Sequence, residues 1–218
     1  MAWSHIENSA YSPSEEALNV LTHGGGLILG IVGAALALAE ASTPAQWWSL
    51  SIYSATLVLL FSASTLYHFF HHHKVKPWLQ KLDHAAIYLF IAGSYTPFLL
   101  LALKDSSFKI PLLAIVWSLA VLGVFFKMRS GDRYSKVGLA TYLTMGWLMI
   151  VVIKDIIAAL PNPALALLVV GGLCFTGGLV FYANEKIRFN HAIWHLFVLA
   201  GVACHFVSIY SYILAPQA

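Results

Sequence analysis

The sequence predicts an all-α membrane protein of seven transmembrane helices, with the N-terminus in the cytoplasm and the C-terminus outside. Three observations carry that prediction. Of 218 residues, 60% are hydrophobic and 10% charged, where a soluble domain would carry about 25% charged residues. Apolar runs recur along the whole chain, and seven spans of ~20 residues fit it with only short loops left over. The basic residues alternate. Loops after spans two, four and six hold Lys74, Lys76, Lys81, Lys127, Arg129, Arg133, Lys136, Lys186 and Arg188, against Lys104, Lys109 and Lys154 opposite. Lys and Arg stay on the cytoplasmic side, which sets the orientation.

Residues 1–16 read as a short polar N-terminal segment and 17–214 as one transmembrane domain. Ser14 is an expected N-cap, with Glu15 and Glu16 in a first turn that suits carboxylates. Span one, about 17–39, is rich in glycine (Gly24, Gly25, Gly26, Gly30, Gly33), which permits close helix approach. Span two runs from about Trp47 to Phe70, with Trp47 and Trp48 at an interface. A basic loop with His71, His72 and His73 follows. Span three, about 82–103, contains Pro97, which predicts a kink. Spans four, five, six and seven fall near 110–126, 137–157, 164–183 and 189–214.

Composition also excludes some classes. Cys174 and Cys204 both lie inside apolar runs without CxxC spacing, so they predict buried small residues and not a disulfide framework. The net charge of +3 is dispersed over loops and points to membrane orientation, not to nucleic acid. No basic segment followed by an apolar core opens the chain, so no cleavable signal peptide is expected.

The chemistry centres on span seven, where His191 and His195 stand four apart on one helix face. Two such imidazoles can reach one metal ion at roughly 2.0–2.1 Å. The pair alone is equally compatible with ordinary hydrogen-bonded histidines. Depth strengthens the metal reading. His68 at the end of span two and Asp83 at the start of span three lie within about two helical turns of the same boundary. Three neutral imidazoles leave a doubly charged ion with an open fourth position, and Asp83 suits the water there. Asp83 could instead pair with Lys81. Ser64, one turn from His68, could instead bond its own helix carbonyl. His84 reads as interfacial and His205 as a packed core residue. His23 reads as a neighbour that no spacing demands, and Trp194 as facing away from the ligands.

Taken together these residues resemble the hemolysin III group, the bacterial branch of the progestin and adipoQ receptor family. The elements are Glu16, Asn19, Thr22 and His23 in span one, Ser64 and His68 in span two, Asp83 and His84 with Gly93-Ser94-Tyr95-Thr96-Pro97 in span three, and His191 and His195 in span seven. The resemblance implies an inner-membrane protein binding Zn²⁺ through His68, His191 and His195. Asp83 would hold the zinc-bound water, with Ser64 nearby.

Three functions then compete. The first is a zinc-dependent hydrolase acting on a membrane lipid amide or ester, with Asp83 as general base and Ser64 steadying an oxyanion. Related alkaline ceramidases supply that substrate class by analogy of fold. The second is a sensor in which zinc is structural. The third is a pore-forming cytolysin, which the chain supports least.

Overall fold

The computed structural model describes residues 11–214 except 132 and 134. Every regular element among them is helical. These are α1 (Pro13–Ala39), α2 (Pro44–Phe69), α3 (Lys76–Pro97), α4 (Lys109–Ser130), α5 (Ser135–Trp147), α6 (Ile153–Ala159), α7 (Asn162–Tyr182) and α8 (Asn190–Ser208). Seven spans are long and apolar enough to cross a membrane, α5 and α6 together making the fifth. Consecutive spans pack side by side, and α8 returns to α1. Large side chains such as Leu21, Leu29 and Phe125 remain 68%, 70% and 67% exposed. So much apolar surface suits lipid as the surrounding solvent.

The first helix starts earlier than the sequence suggests. Ser12, not Ser14, is its N-cap, in a capping box with Glu15, and Pro13 takes the first helical position. Residues 1–10 of the polar N-terminal segment lie outside the described residues. The buried positions of α1 are Glu16, Asn19, His23, Gly26, Gly30, Gly33 and Ala37. Their spacing alternates three and four, the pattern of a seam packed at a shallow left-handed crossing. The seam is polar through its first two turns and becomes a glycine track. A Cβ on Gly26 would lie 2.6 Å from Leu199 Cδ2 and 3.0 Å from Phe61 Cε1. Glycine there lets α1 lie against α2 and α8 together. Gly93 does the same between α3 and α2, where a Cβ would collide with the Thr56 side chain.

Two irregularities have identifiable causes. Pro97 removes one helical hydrogen bond, and the chain continues as a π-helical turn over Phe98–Ala102. The fifth span is not the single helix expected. Between α5 and α6 it tightens to a 3₁₀ turn over Leu148–Val152. The cause is Tyr95 of α3. Its hydroxyl lies 2.8 Å from Met145 O and 2.9 Å from Gly146 O, and it accepts from Met149 N–H at 2.9 Å. A side chain inserted into the helical ladder takes bonds the backbone would otherwise make with itself.

Candidate metal centre

The end of α2 and the first two turns of α8 bring His68, His191 and His195 together. One ring nitrogen from each lies within 4.8 Å of the others, and all three side chains are buried. The entry to α8 is set by Phe189, whose φ of 60° is a conformation that bulky residues seldom adopt. Its N–H donates to Glu15 Oε1 at 3.4 Å, so the first turn of α1 holds the turn before His191.

Hydrogen bonds fix which nitrogen His68 and His195 offer. His68 Nδ1 lies 2.6 Å from Glu16 Oε2. A carboxylate only accepts, so Nδ1 carries the hydrogen and the Nε2 lone pair faces inward. His195 Nδ1 lies 3.0 Å from Thr22 Oγ1. The Thr22 hydroxyl hydrogen is taken by the carbonyls of Leu18 or Asn19, at 2.8 and 3.0 Å. Thr22 therefore accepts from His195, whose Nε2 is a bare lone pair. That atom is buried without a hydrogen-bond partner among the described residues. His191 Nδ1 meets the Tyr11 hydroxyl at 3.0 Å. Burial, reinforced by Glu16, pushes the Tyr11 phenol above its usual pKa, so it is a neutral partner.

These atoms fit a divalent cation. His68 Nε2 and His191 Nε2 are 3.2 Å apart, close to the ~3.4 Å edge of a tetrahedron with bonds of 2.0–2.1 Å. A ligating imidazole usually gives its other N–H to a carboxylate, carbonyl or hydroxyl, and all three rings have such an acceptor in place. Asn19 Oδ1 and His23 Nε2 nearby are also without hydrogen-bond partners among the described residues, but only the orphaned lone pair of His195 belongs to the three grouped histidines, and a metal ion bound there would engage it.

Asp83 and Ser64 complete the centre. Asp83 is buried on the inner face of α3, with Ser64 as its polar neighbour. It is not turned to Lys81, whose Nζ reaches Met128 O at 3.4 Å. Ser64 Oγ also lies 2.7 Å from His23 Nδ1, so it bridges two side chains instead of bonding its own helix. The His23 ring stacks on His195 with centroids 3.4 Å apart and planes 13° from parallel. Asp83, Ser64 and His23 thus form a chain leading to a ligand. His84 is buried beside Asp83, not interfacial as expected. Trp194 also departs from expectation, being 8% exposed with its ring 5.1 Å from that of His191. The helix is packed on more than one side here, so a 100° turn still leads inward. His205 is packed as predicted, its Nε2–H donating to Leu168 O at 3.3 Å.

Sequence reasoning did not foresee Tyr11, Glu16 and Thr22 as the partners of the three histidines. Glu16 and Thr22 share α1 with His23, and a carboxylate repeating with Asn19 and His23 on one seam was the available signal. Beside Asp83 and His23 opens a cavity of about 150 Å³ between α3, α5, α7 and α8. Its walls are mostly apolar, with Ile87, Phe90, Phe175 and Val198 among them. Asp83, His84 and Lys127 stand together on its lining.

This is a multi-pass membrane protein whose helix ends converge on a buried three-histidine site able to hold a metal ion. The chain belongs to the hemolysin III family: the family model described as "Haemolysin-III related" matches residues 11–206. It is 43% identical to Hemolysin-3 of Bacillus cereus over 92% of both chains. It is 41% identical to the Hemolysin-3 homolog of Bacillus subtilis, covering 93% of this chain and 96% of the relative. It is also 32% identical to the human monocyte to macrophage differentiation factor, covering 94% and 88% respectively. In bacteria such a protein resides in the plasma membrane.

Proposed function

We propose that the protein is a zinc-dependent hydrolase of the membrane, cleaving an amide or ester bond of a lipid. The observation that supports this best is the apolar cavity that meets Asp83 and His23 beside the histidines. An acyl chain fits such walls, and the polar groups are gathered where its carbonyl would sit. Zinc suits three imidazole ligands and would supply Lewis acidity and acidify water at neutral pH.

The chain's own residues then divide the work. His68, His191 and His195 hold the ion. Asp83, as a carboxylate, takes a proton from water and returns it to the leaving group. Ser64 has one hydrogen. With Asp83 ionised it goes to the carboxylate, and Ser64 accepts from His23 Nδ1–H. Ser64 is therefore better placed to hold Asp83 than to steady an oxyanion, and His23 fixes Ser64 in turn. Trp194 and the apolar walls exclude water from the rest of the cavity.

The test is turnover. Protein reconstituted in vesicles is given ceramides, N-acyl amides and phospholipids, and released fatty acid is measured by mass spectrometry. Release that stops on zinc chelation and returns with zinc is the expected result. An intact panel with zinc bound would overturn the proposal. The reading with structural zinc in a sensor is favoured by one feature, the tie the site makes among α1, α2 and α8. The Asp83 substitution discussed below separates the two.

The distribution of Lys and Arg among the loops supports a metal centre near the cytoplasmic face and a C-terminus outside. A C-terminal alkaline phosphatase fusion should be active in cells. A fluorescent C-terminal fusion of the kind that folds only in cytoplasm should be dark. The reverse pair of results would invert the topology.

A further inference from the structure

We infer that Glu16 is the positioning residue that sets the metal affinity of the histidine site, with Lys76 as its tether. The inference rests on the metal reading proposed above. It concerns a helix, α1, that contributes none of the three ligands. All three ligand rings nevertheless find their Nδ1 partner on α1 or immediately before it: Tyr11, Glu16 and Thr22. Two of these partners are neutral hydroxyls. Glu16 alone carries charge. A carboxylate on Nδ1–H makes the opposite nitrogen more basic and offsets part of the ion's charge, which a hydroxyl does much less.

Helix capping does not account for Glu16. The neighbouring Glu15 already closes the capping box on Ser12 and is partly exposed. Glu16 is only 4% exposed, and taking a carboxylate out of water is costly unless its oxygens are matched. Both are. Oε2 takes the His68 hydrogen at 2.6 Å and Oε1 takes Lys76 Nζ at 2.5 Å. Lys76 Nζ also lies 3.4 Å from Tyr67 O and 4.9 Å from the centre of the Tyr67 ring, next to His68 in sequence. One carboxylate thus joins the first turn of α1, the end of α2 and the start of α3. Lys76 fixes the oxygen that does not face the ligand, so the one that does is held in line with the ring.

The experiment compares metal affinity in the full-length protein, Glu16→Gln, Lys76→Met and the double variant. Each is purified in detergent, loaded with zinc and titrated against a chromogenic chelator. Cobalt(II) absorption spectra are recorded alongside. Glu16→Gln should bind zinc roughly 10- to 100-fold more weakly, the usual effect of losing an outer partner of a ligand. Its cobalt bands should shift, because the ligand field at His68 has changed, whereas a merely structural residue would leave them in place. The double variant strands no lysine and should keep the loss. It also supplies the comparison if Glu16→Gln alone does not fold. Wild-type protein that binds no metal would overturn the metal reading and this inference together. Wild-type binding with Glu16→Gln within twofold of it would overturn the inference alone. So would a double variant that recovers wild-type affinity, since the loss would then belong to the stranded lysine.

Discussion

The His195→Ala protein should purify without its metal ion and melt roughly 5–15 °C below the wild type in detergent. The magnitude follows from linkage. A ligand present at 100 to 1,000 times its dissociation constant stabilises the folded state by about 2.7–4.1 kcal/mol, and a chain of this size shifts by about 2–4 °C per kcal/mol. His195 is the sharpest position for the test because its Nε2 has no other partner among the described residues. Truncating it also removes the ring on which His23 stacks, so melting alone would mix two effects. Elemental analysis separates them. His205→Ala is the control, since it removes a packed histidine from the same helix at a site away from the triad. It should lose stability yet keep one equivalent of metal. If His195→Ala still carried one equivalent, the three histidines would not be the site.

Much of this was legible in the sequence because membrane spans and helix-face pairs are local patterns. Twenty apolar residues read as a span wherever they stand, and His191 and His195 share a face whatever surrounds them. The depth argument brought in His68 and Asp83 because distance from a helix end is also local. What stayed hidden depends on how helices lean on each other. Glu16 looked like a dipole-complementing residue because nothing along α1 says that the end of α2 stops beside it. Trp194 and His84 were misread on one premise, that a 100° rotation from an inward residue leads outward. In α3 and α8 the inward face is wide enough to hold both. The break in the fifth span was invisible for a related reason. No proline marks it, and its cause is a tyrosine fifty residues away.

Asp83→Asn is the second large effect, and it decides between chemistry and architecture. The substitution keeps shape and volume. An asparagine oxygen still accepts the Ser64 hydroxyl, so the chain to His23 and the stack on His195 can survive. What is lost is a negative charge and a proton acceptor beside the histidine site. Zinc content and melting temperature should therefore stay near wild type, because Asp83 is not among the three grouped ligands. Lipid turnover should fall by roughly 10²- to 10⁴-fold, the usual contribution of a general base. The two measurements must be read together. Turnover lost with metal retained assigns Asp83 to the reaction. Turnover and metal lost together would make Asp83 part of the ion's own coordination. Undiminished turnover would remove it from the mechanism. If wild-type protein turns over no lipid and Asp83→Asn keeps its cellular effect, the metal serves the bundle and not a reaction. Ser64→Ala should then fall between the extremes: with the hydroxyl gone, the carboxylate remains but loses the hydrogen bond that aims it.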